Sequence, residues 1–253
     1  MPSSPGSTGP GSLCATLPSP PKPAACSDLY AGSWDGESLG SNDYVICADE
    51  KTSIQARCRC HPTLPPGKAR AMRIEHDYNR GGALAYLAAW DVHRGQVIGR
   101  CEHTTGIAPF SRLVEQVMTS EPDASANRVF WIVDNGSSHR GAASIKRMAR
   151  AWPNAHLIHL PTHASWLDQA EIYFSILQRK ALTPNDFISL DQIRQRLAAS
   201  ETRYNTIARP FSWNFTHNDL EDLICIASTP TTTVSRTPWQ HELHLPRPYG
   251  RDH

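Results

Sequence analysis

The sequence predicts an α/β fold in which one mixed sheet is flanked by helices. Three observations carry this expectation. Short apolar runs alternate with segments whose apolar residues recur at helical spacing. Two early runs are joined by His93-Arg94-Gly95, a turn that folds them into a hairpin. Later runs are separated by whole helical segments, the connection that a parallel strand pair requires.

Taken in order, residues 43–48 (DYVICA) read as a short strand ending at Asp49. Residues 83–92 (ALAYLAAWDV) form the next strand, and residues 96–101 (QVIGRC) return as its hairpin partner. Phe110, Leu113, Val114 and Val117 mark one face of a helix over residues 110–118. Residues 128–133 (RVFWIV) are a buried strand ending at Asp134. A basic helix over 142–152, a strand over 156–160 and an amphipathic helix over 166–182 follow. Further helices are expected over 191–204 and 219–227. An antiparallel start followed by parallel crossover units is the element order of a ribonuclease-H-like fold. No internal repeat interrupts it.

The chain has 253 residues, 40% of them hydrophobic, which suits one well-packed domain or two small ones. Many of the 20 prolines lie near the ends. Residues 1–40 read as a disordered Pro/Ser/Gly-rich segment and linker, 41–228 as the folded domain, and 229–253 as a loosely ordered tail. A formal net charge of +1 is low for a protein that merely coats DNA. It is compatible with an enzyme that meets DNA through bound metal and a local basic face. No apolar stretch reaches membrane-spanning length, and the N-terminus lacks the order of a secretory signal. The seven cysteines are odd in number and scattered, so reduced thiols in a cytoplasmic protein are expected.

The chemistry is carried by acids. Asp49 follows VICA and Asp134 follows FWIV, so two strands deliver carboxylates to a sheet edge. Ligands collect at such edges in open α/β sheets. Two carboxylates held close repel unless a cation lies between them or one is protonated. Mg²⁺ suits such a site, since it prefers oxygen ligands and accepts one or two carboxylates beside substrate phosphate. A third acid is expected from the helix over 166–182. Asp168 and Glu171 share one face there, and Ser175 and Gln178 continue the stripe. Trp166, Ala170, Phe174 and Leu177 form the side expected to face the core. Each acid alone has an ordinary reading as a turn, a cap or a solvated face, Asp134-Asn135-Gly136 being good turn chemistry. The joint pattern sets them apart.

Three segments resemble the motifs of bacterial insertion-sequence transposases of the mariner superfamily, in the insertion sequence 630 branch with its DDE endonuclease domain. They are CADEKTSIQAR (47–57), VDNGSSHRG (133–141) and HASWLDQAEIYFSILQRKAL (163–182). The resemblance runs from about residue 28 to 227, and the interval from Asp134 to Glu171 is less than half that from Asp49 to Asp134. It implies that Asp49, Asp134 and Glu171 are the catalytic, metal-holding acids. It further implies Mg²⁺ or Mn²⁺ as cofactor, double-stranded DNA (transposon ends and target) as partner, and a homodimer assembled on that DNA. A nucleoid-associated place in a bacterial cytoplasm would follow. Family members usually carry an N-terminal helix-turn-helix region; a Pro/Ser/Gly-rich stretch stands in that place here. Asp168 occupies a position where relatives more often carry Asn.

Lys51, Arg57, Arg140, Lys146, Arg147, Arg179 and Lys180 are candidates for phosphate contacts, with ordinary solvated charge as the alternative for each. His139, His163 and Asp168 lie beside the motifs and are candidates to support the acids from behind. Cys58-Arg59-Cys60-His61 has its cysteines too close for the usual zinc spacing and lacks a second pair. Ser137-Ser138-His139 lacks the strand-turn-helix surroundings of a nucleophile. Trp131, Trp152 and Trp166 are expected in the core. Three functions remain open: a transposase, a nuclease of the same fold that cuts without joining, and a catalytically idle or truncated remnant acting by DNA binding or by pairing with full-length transposase.

Overall fold

Helix α1 (Ala25–Tyr30) and a tight hairpin of β1 (Ser33–Trp34) with β2 (Glu37–Ser38) lead into the main sheet, in a computed structural model that describes residues 25–59, 77–161 and 164–213. The main sheet opens with β3 (Asp43–Arg59), β4 (Tyr78–Asp91) and β5 (Val97–Glu102), an antiparallel meander. Helix α2 (Ile107–Met118) then crosses to β6 (Arg128–Val133), and α3 (Gly141–Ala151) crosses to β7 (Ala155–His159). Helices α4 (Gln169–Lys180) and α5 (Leu190–Thr206) complete the described chain. The strand order is β5-β4-β3-β6-β7, with β3, β6 and β7 parallel. The five-stranded mixed sheet flanked by helices is the expected ribonuclease-H-like arrangement.

The residues explain the positions. β6 is buried from Val129 to Val133, as a central strand covered on both faces must be. The expected strand ending at Asp49 instead runs on to Arg59. β6 stops pairing at Ala48↔Val133, but β4 continues to supply partners from Asp49↔Ala88 to Arg59↔Tyr78. In this extension Ile54 and Ala56 are buried while Gln55 and Arg57 are half-exposed, the alternation of a hairpin with one wet face.

Helices cover both faces. Phe110, Leu113, Val114 and Val117 of α2 pack with Met148 of α3 against Ile46, Ala48, Leu87, Trp131 and Val133. On the other face Tyr173, Phe174 and Leu177 of α4 are buried, with Ile193 and Leu197 of α5. Trp90 stacks on Tyr173 with centroids 6.2 Å apart, and its indole N–H donates to Gln169 at 3.3 Å. Each such large apolar side chain contributes about 1.5–3 kcal/mol by leaving water. Tyr86 needs a glycine across the sheet, because a Cβ at Gly99 would lie 1.9 Å from its hydroxyl oxygen. Tyr86 in turn meets the Tyr173 hydroxyl at 3.2 Å and donates to Glu201 at 3.0 Å, which seats α4 and α5 on the sheet.

Three expectations differ in detail. Helix α4 begins at Gln169, after a one-turn 3-10 helix Ser165–Leu167, because Asp168 caps it. Trp166 therefore lies outside α4 and is 41% exposed, not in the core. Residues 26–38, read as linker, hold α1 and the small hairpin, with Leu29 fully buried. The helix expected over 219–227 lies outside the described residues. Among the described residues no helix is long and apolar enough to cross a membrane.

Candidate functional site

The register of β3 with β6 runs from Asp43↔Arg128 to Ala48↔Val133, and Asp49 and Asp134 are the next residue on each strand. Adjacent strands lie ~4.8 Å apart, so the two backbones stand side by side at the point where the strands part. β3 goes on with β4 as its partner, whereas β6 gives way to a loop. The fork opens a crevice at the carboxyl end of β6, where ligands collect in such sheets. Asp49 points to the α4 face of the sheet. Cys47, two residues back and on the same face, reaches Asp168 at the start of α4. Glu50 points the other way and lies 3.4 Å from the Ser138 hydroxyl.

Asp134 is held by its own loop. Its Oδ1 accepts the Gly136 N–H at 2.7 Å and the Nε2–H of His139. The Asp134 side chain is 46% exposed, whereas His139 is buried against the Phe110 ring, centroids 5.0 Å apart. The His139 carbonyl is bound by Ser144 and His159, and its Nδ1 meets the Ser138 hydroxyl at 3.0 Å. Arg147 donates to the Ser138 carbonyl at 2.9 Å. The hydrogen bond from His139 holds the Asp134 carboxyl below the usual carboxylate range. A Cβ on Gly136 would come within 2.8 Å of Asp134 Oδ1 and 3.0 Å of His139 Nε2, so this turn requires glycine.

Glu171 comes from the first turn of α4. The Asp168 side chain caps that helix by accepting the Ala170 N–H at 2.9 Å. Asp168-x-x-Glu171 has the spacing of a capping box, in which the glutamate would fold back onto the cap residue's N–H. Here the Asp168 N–H donates to the Ser165 carbonyl at 2.9 Å instead. Glu171 is thereby left facing solvent, in a cleft of about 390 Å³ shared with Lys51, Phe174, Ser175, Gln178 and Arg179.

The charges are crowded. Burial pushes the Asp49 carboxyl far above the usual range, and the charges of Asp168, Glu171 and Glu50 raise it further. Burial also raises Asp168, with Glu171 and Asp134 adding to it. Glu50 rises by burial and by the charge of Asp134, against the pull of His139. A divalent cation would relieve this repulsion, and the donors are the hard oxygens that Mg²⁺ accepts. Among the described residues no three His, Cys, Asp or Glu side chains stand close enough together to hold a metal ion. The acids would have to draw together around one, and Mg²⁺ would keep several of its own waters there.

A family profile described as DDE superfamily endonuclease matches residues 44–194, more than half of the chain. The chain belongs to the DDE superfamily endonucleases. The matched span holds Asp49, Asp134 and Glu171, and the family uses divalent metal ions. No match was found among curated proteins. Solved structures similar to this endonuclease include a pre-cleavage Mos1 transpososome, at 17% identity and a TM-score of 0.49 over 81% of this chain and 60% of that one. A Mos1 mariner paired-end complex with Mn is similar at 18% identity and a TM-score of 0.45, with the same coverages. The Mos1 strand transfer complex is similar at 16% identity and a TM-score of 0.48, covering 81% of this chain and 59% of that one. The endonuclease spans about 60% of the length of the first of these chains.

Of the basic candidates in this endonuclease, Lys51 and Arg179 meet in the cleft with Glu171. Arg140 and Lys146 are exposed at the start and middle of α3, and Lys180 ends α4. Arg147 is engaged in holding the Asp134 loop. Arg57 lies further along the hairpin, bonded to Gln55 at 3.1 Å and stacked 4.7 Å from the Tyr78 ring centre. His163, Cys60 and His61 lie outside the described residues. Sequence reasoning missed Glu50, Ser138 and Cys47. The alternation along β3 places Glu50 opposite Asp49 and Cys47 beside it, and was the available signal for two of them.

Proposed function

We propose that this endonuclease is the catalytic domain of a mariner-superfamily DNA transposase, of the insertion sequence 630 kind, with residues 41–228 as the domain. Asp49, Asp134 and Glu171 are its catalytic acids and hold Mg²⁺ or Mn²⁺. The observation that supports this most is the juxtaposition of Asp49 and Asp134 at the β3–β6 fork, beneath the helix that carries Glu171.

The bound metal would activate a water for attack on the scissile phosphate and stabilise the departing 3′ oxygen. The chain's own residues do the rest. His139 and Gly136 fix Asp134 through Oδ1, and both of those bonds leave Oδ2 free of them. Lys51 and Arg179, in the cleft with Glu171, take the phosphates that flank the cut. The freed 3′-hydroxyl then attacks a phosphate of target DNA in line and displaces that strand's own 3′ oxygen, which leaves as a 3′-hydroxyl, without a covalent enzyme intermediate. The substrates are transposon ends and target DNA, brought together by a homodimer in a bacterial nucleoid.

The test is cleavage of a labelled DNA duplex with Mg²⁺ or Mn²⁺. Wild type cuts only with metal, and Asp134→Ala, still folded, does not. Equal cutting by the variant would refute the assignment. Joining of the cut 3′ end to a second duplex separates a transposase from a nuclease that only cuts.

A further inference from the structure

The acids of the site come from different elements, and something must fix their spacing. Behind Asp49 lies a buried polar cluster that the chemistry above does not use. The Cys47 thiol donates to Asp168 Oδ1 at 3.1 Å, and Asp168 is 3% exposed. The same oxygen accepts the Ala170 N–H at 2.9 Å. Cys47 lies two residues before Asp49 on β3, and Asp168 caps the helix whose third residue is Glu171. The Tyr30 hydroxyl of α1 donates to the Leu167 carbonyl at 2.6 Å and touches Cys47 Sγ at 3.1 Å. One carboxylate oxygen thus ties the Asp49 strand to the Glu171 helix, and a tyrosine from a third element braces both sides of the tie.

We infer that Cys47 and Asp168 are positioning residues that pin the helix bearing Glu171 to the strand bearing Asp49, with Tyr30 as their brace. The Asp168 Oδ1 is committed to the strand on one side and the helix on the other, so the part assigned to this residue is a tie between them. Its role needs an acceptor oxygen, which asparagine also supplies. Loss of the pin lets the first turn of α4 drift, and groups that orient metal ligands typically change metal affinity ~10–100-fold when removed. This inference rests on the reading of Asp49, Asp134 and Glu171 as the metal-holding acids.

Mn²⁺ is titrated into the full chain and the free ion is read by electron paramagnetic resonance. Amide exchange of the first turn of α4 is recorded on the metal-free protein. Asp168→Ala and Cys47→Ala are expected to weaken Mn²⁺ binding ~10-fold or more and to speed exchange at Ala170. Asp168→Asn and Cys47→Ser keep the hydrogen bonds, so exchange at Ala170 stays close to wild type and Mn²⁺ affinity stays well above that of the alanine variants. If Asp168→Ala fails to fold, Cys47→Ala carries the test. Wild-type affinity in a folded alanine variant would overturn the pin. So would an Asp168→Asn variant as weak as Asp168→Ala with normal exchange, since the charge and not the tie would then matter. Failure of the underlying reading looks different: Asp134→Ala would bind Mn²⁺ as wild type does, whatever the exchange shows.

Discussion

Asp43, Glu102, Asp91 and Asp123, away from the fork, are matched with arginine, and the acids around the fork are not. Asp43 accepts from Arg128 at 3.2 and 2.6 Å. Glu102 is gripped by Arg112 at 2.8 and 2.7 Å and by Arg100 at 2.6 Å. Arg94 joins Asp91 at 2.6 Å to Asp123 at 3.2 Å. Asp49, Glu50, Asp168 and Glu171 form no ion pair with lysine or arginine among the described residues. The consequence follows in the acidities. Arginine holds Asp43 and Glu102 below the usual range, Glu102 at about 2. Burial and neighbouring charge push Asp49, Glu50 and Asp168 above it. Burial also raises Asp123, to about 6, against the pull of Arg94. Asp43, Glu102, Asp91 and Asp123 are matched by arginine, whereas Asp49, Glu50, Asp168 and Glu171 are left without lysine or arginine among the described residues, where a cation from outside the chain can act.

This contrast can be broken by substitution. Asp49→Asn and Asp134→Asn should each lower metal-dependent cleavage by ~10³-fold or more, since a metal contributes several kcal/mol to the transition state. Single-turnover cleavage checks it, and a loss under tenfold would place the chemistry elsewhere. In stability the two groups should part in opposite directions. Glu102→Gln and Asp43→Asn remove charge-assisted bonds and should cost about 1–3 kcal/mol in urea unfolding. Asp49→Asn removes a carboxyl that burial, and then the neighbouring acids, penalise when charged, and should raise the metal-free midpoint.

Gly136→Ala tests the loop behind Asp134. Its methyl would crowd both Asp134 and His139, so Mn²⁺ affinity should fall ~10-fold and the midpoint should fall as well. An unchanged affinity would mean that the loop does not fix Asp134. The smallest effect is in acid. The Glu102 carboxyl is lowered from 4.5 to about 2 in the folded chain, so its stabilisation is complete above about 4.5. It is lost as the pH falls towards about 2. Glu102→Gln should therefore flatten the acid side of the stability profile over that window.

Much of this was legible in the residues. RVFWIV and DYVICA are apolar enough to announce central strands, and each is followed by its aspartate. The continuation of β3 past Asp49 was hidden by polar residues, although Ile54 and Ala56 carry the two-residue period. The start of α4 was misplaced because Trp166 suggested a core face. Asp168 followed three residues later by Glu171 is a helix-start signature, and it would have set the boundary. The bond between Cys47 and Asp168, like that between Ser138 and Glu50, joins residues far apart in the chain. No local pattern encodes such pairings, because they exist only once the sheet has closed.

The most direct test of the central claim is the thermal midpoint of wild type and Asp49→Asn as Mn²⁺ is added. Binding to the folded state alone raises stability by RT ln(1 + [L]/Kd). The unmatched carboxylates predict a wild-type midpoint that climbs with Mn²⁺. They also predict an Asp49→Asn midpoint that starts higher and stays nearly flat. A wild type indifferent to Mn²⁺, with Asp49→Asn less stable than wild type, would show that these acids are structural and would contradict the account.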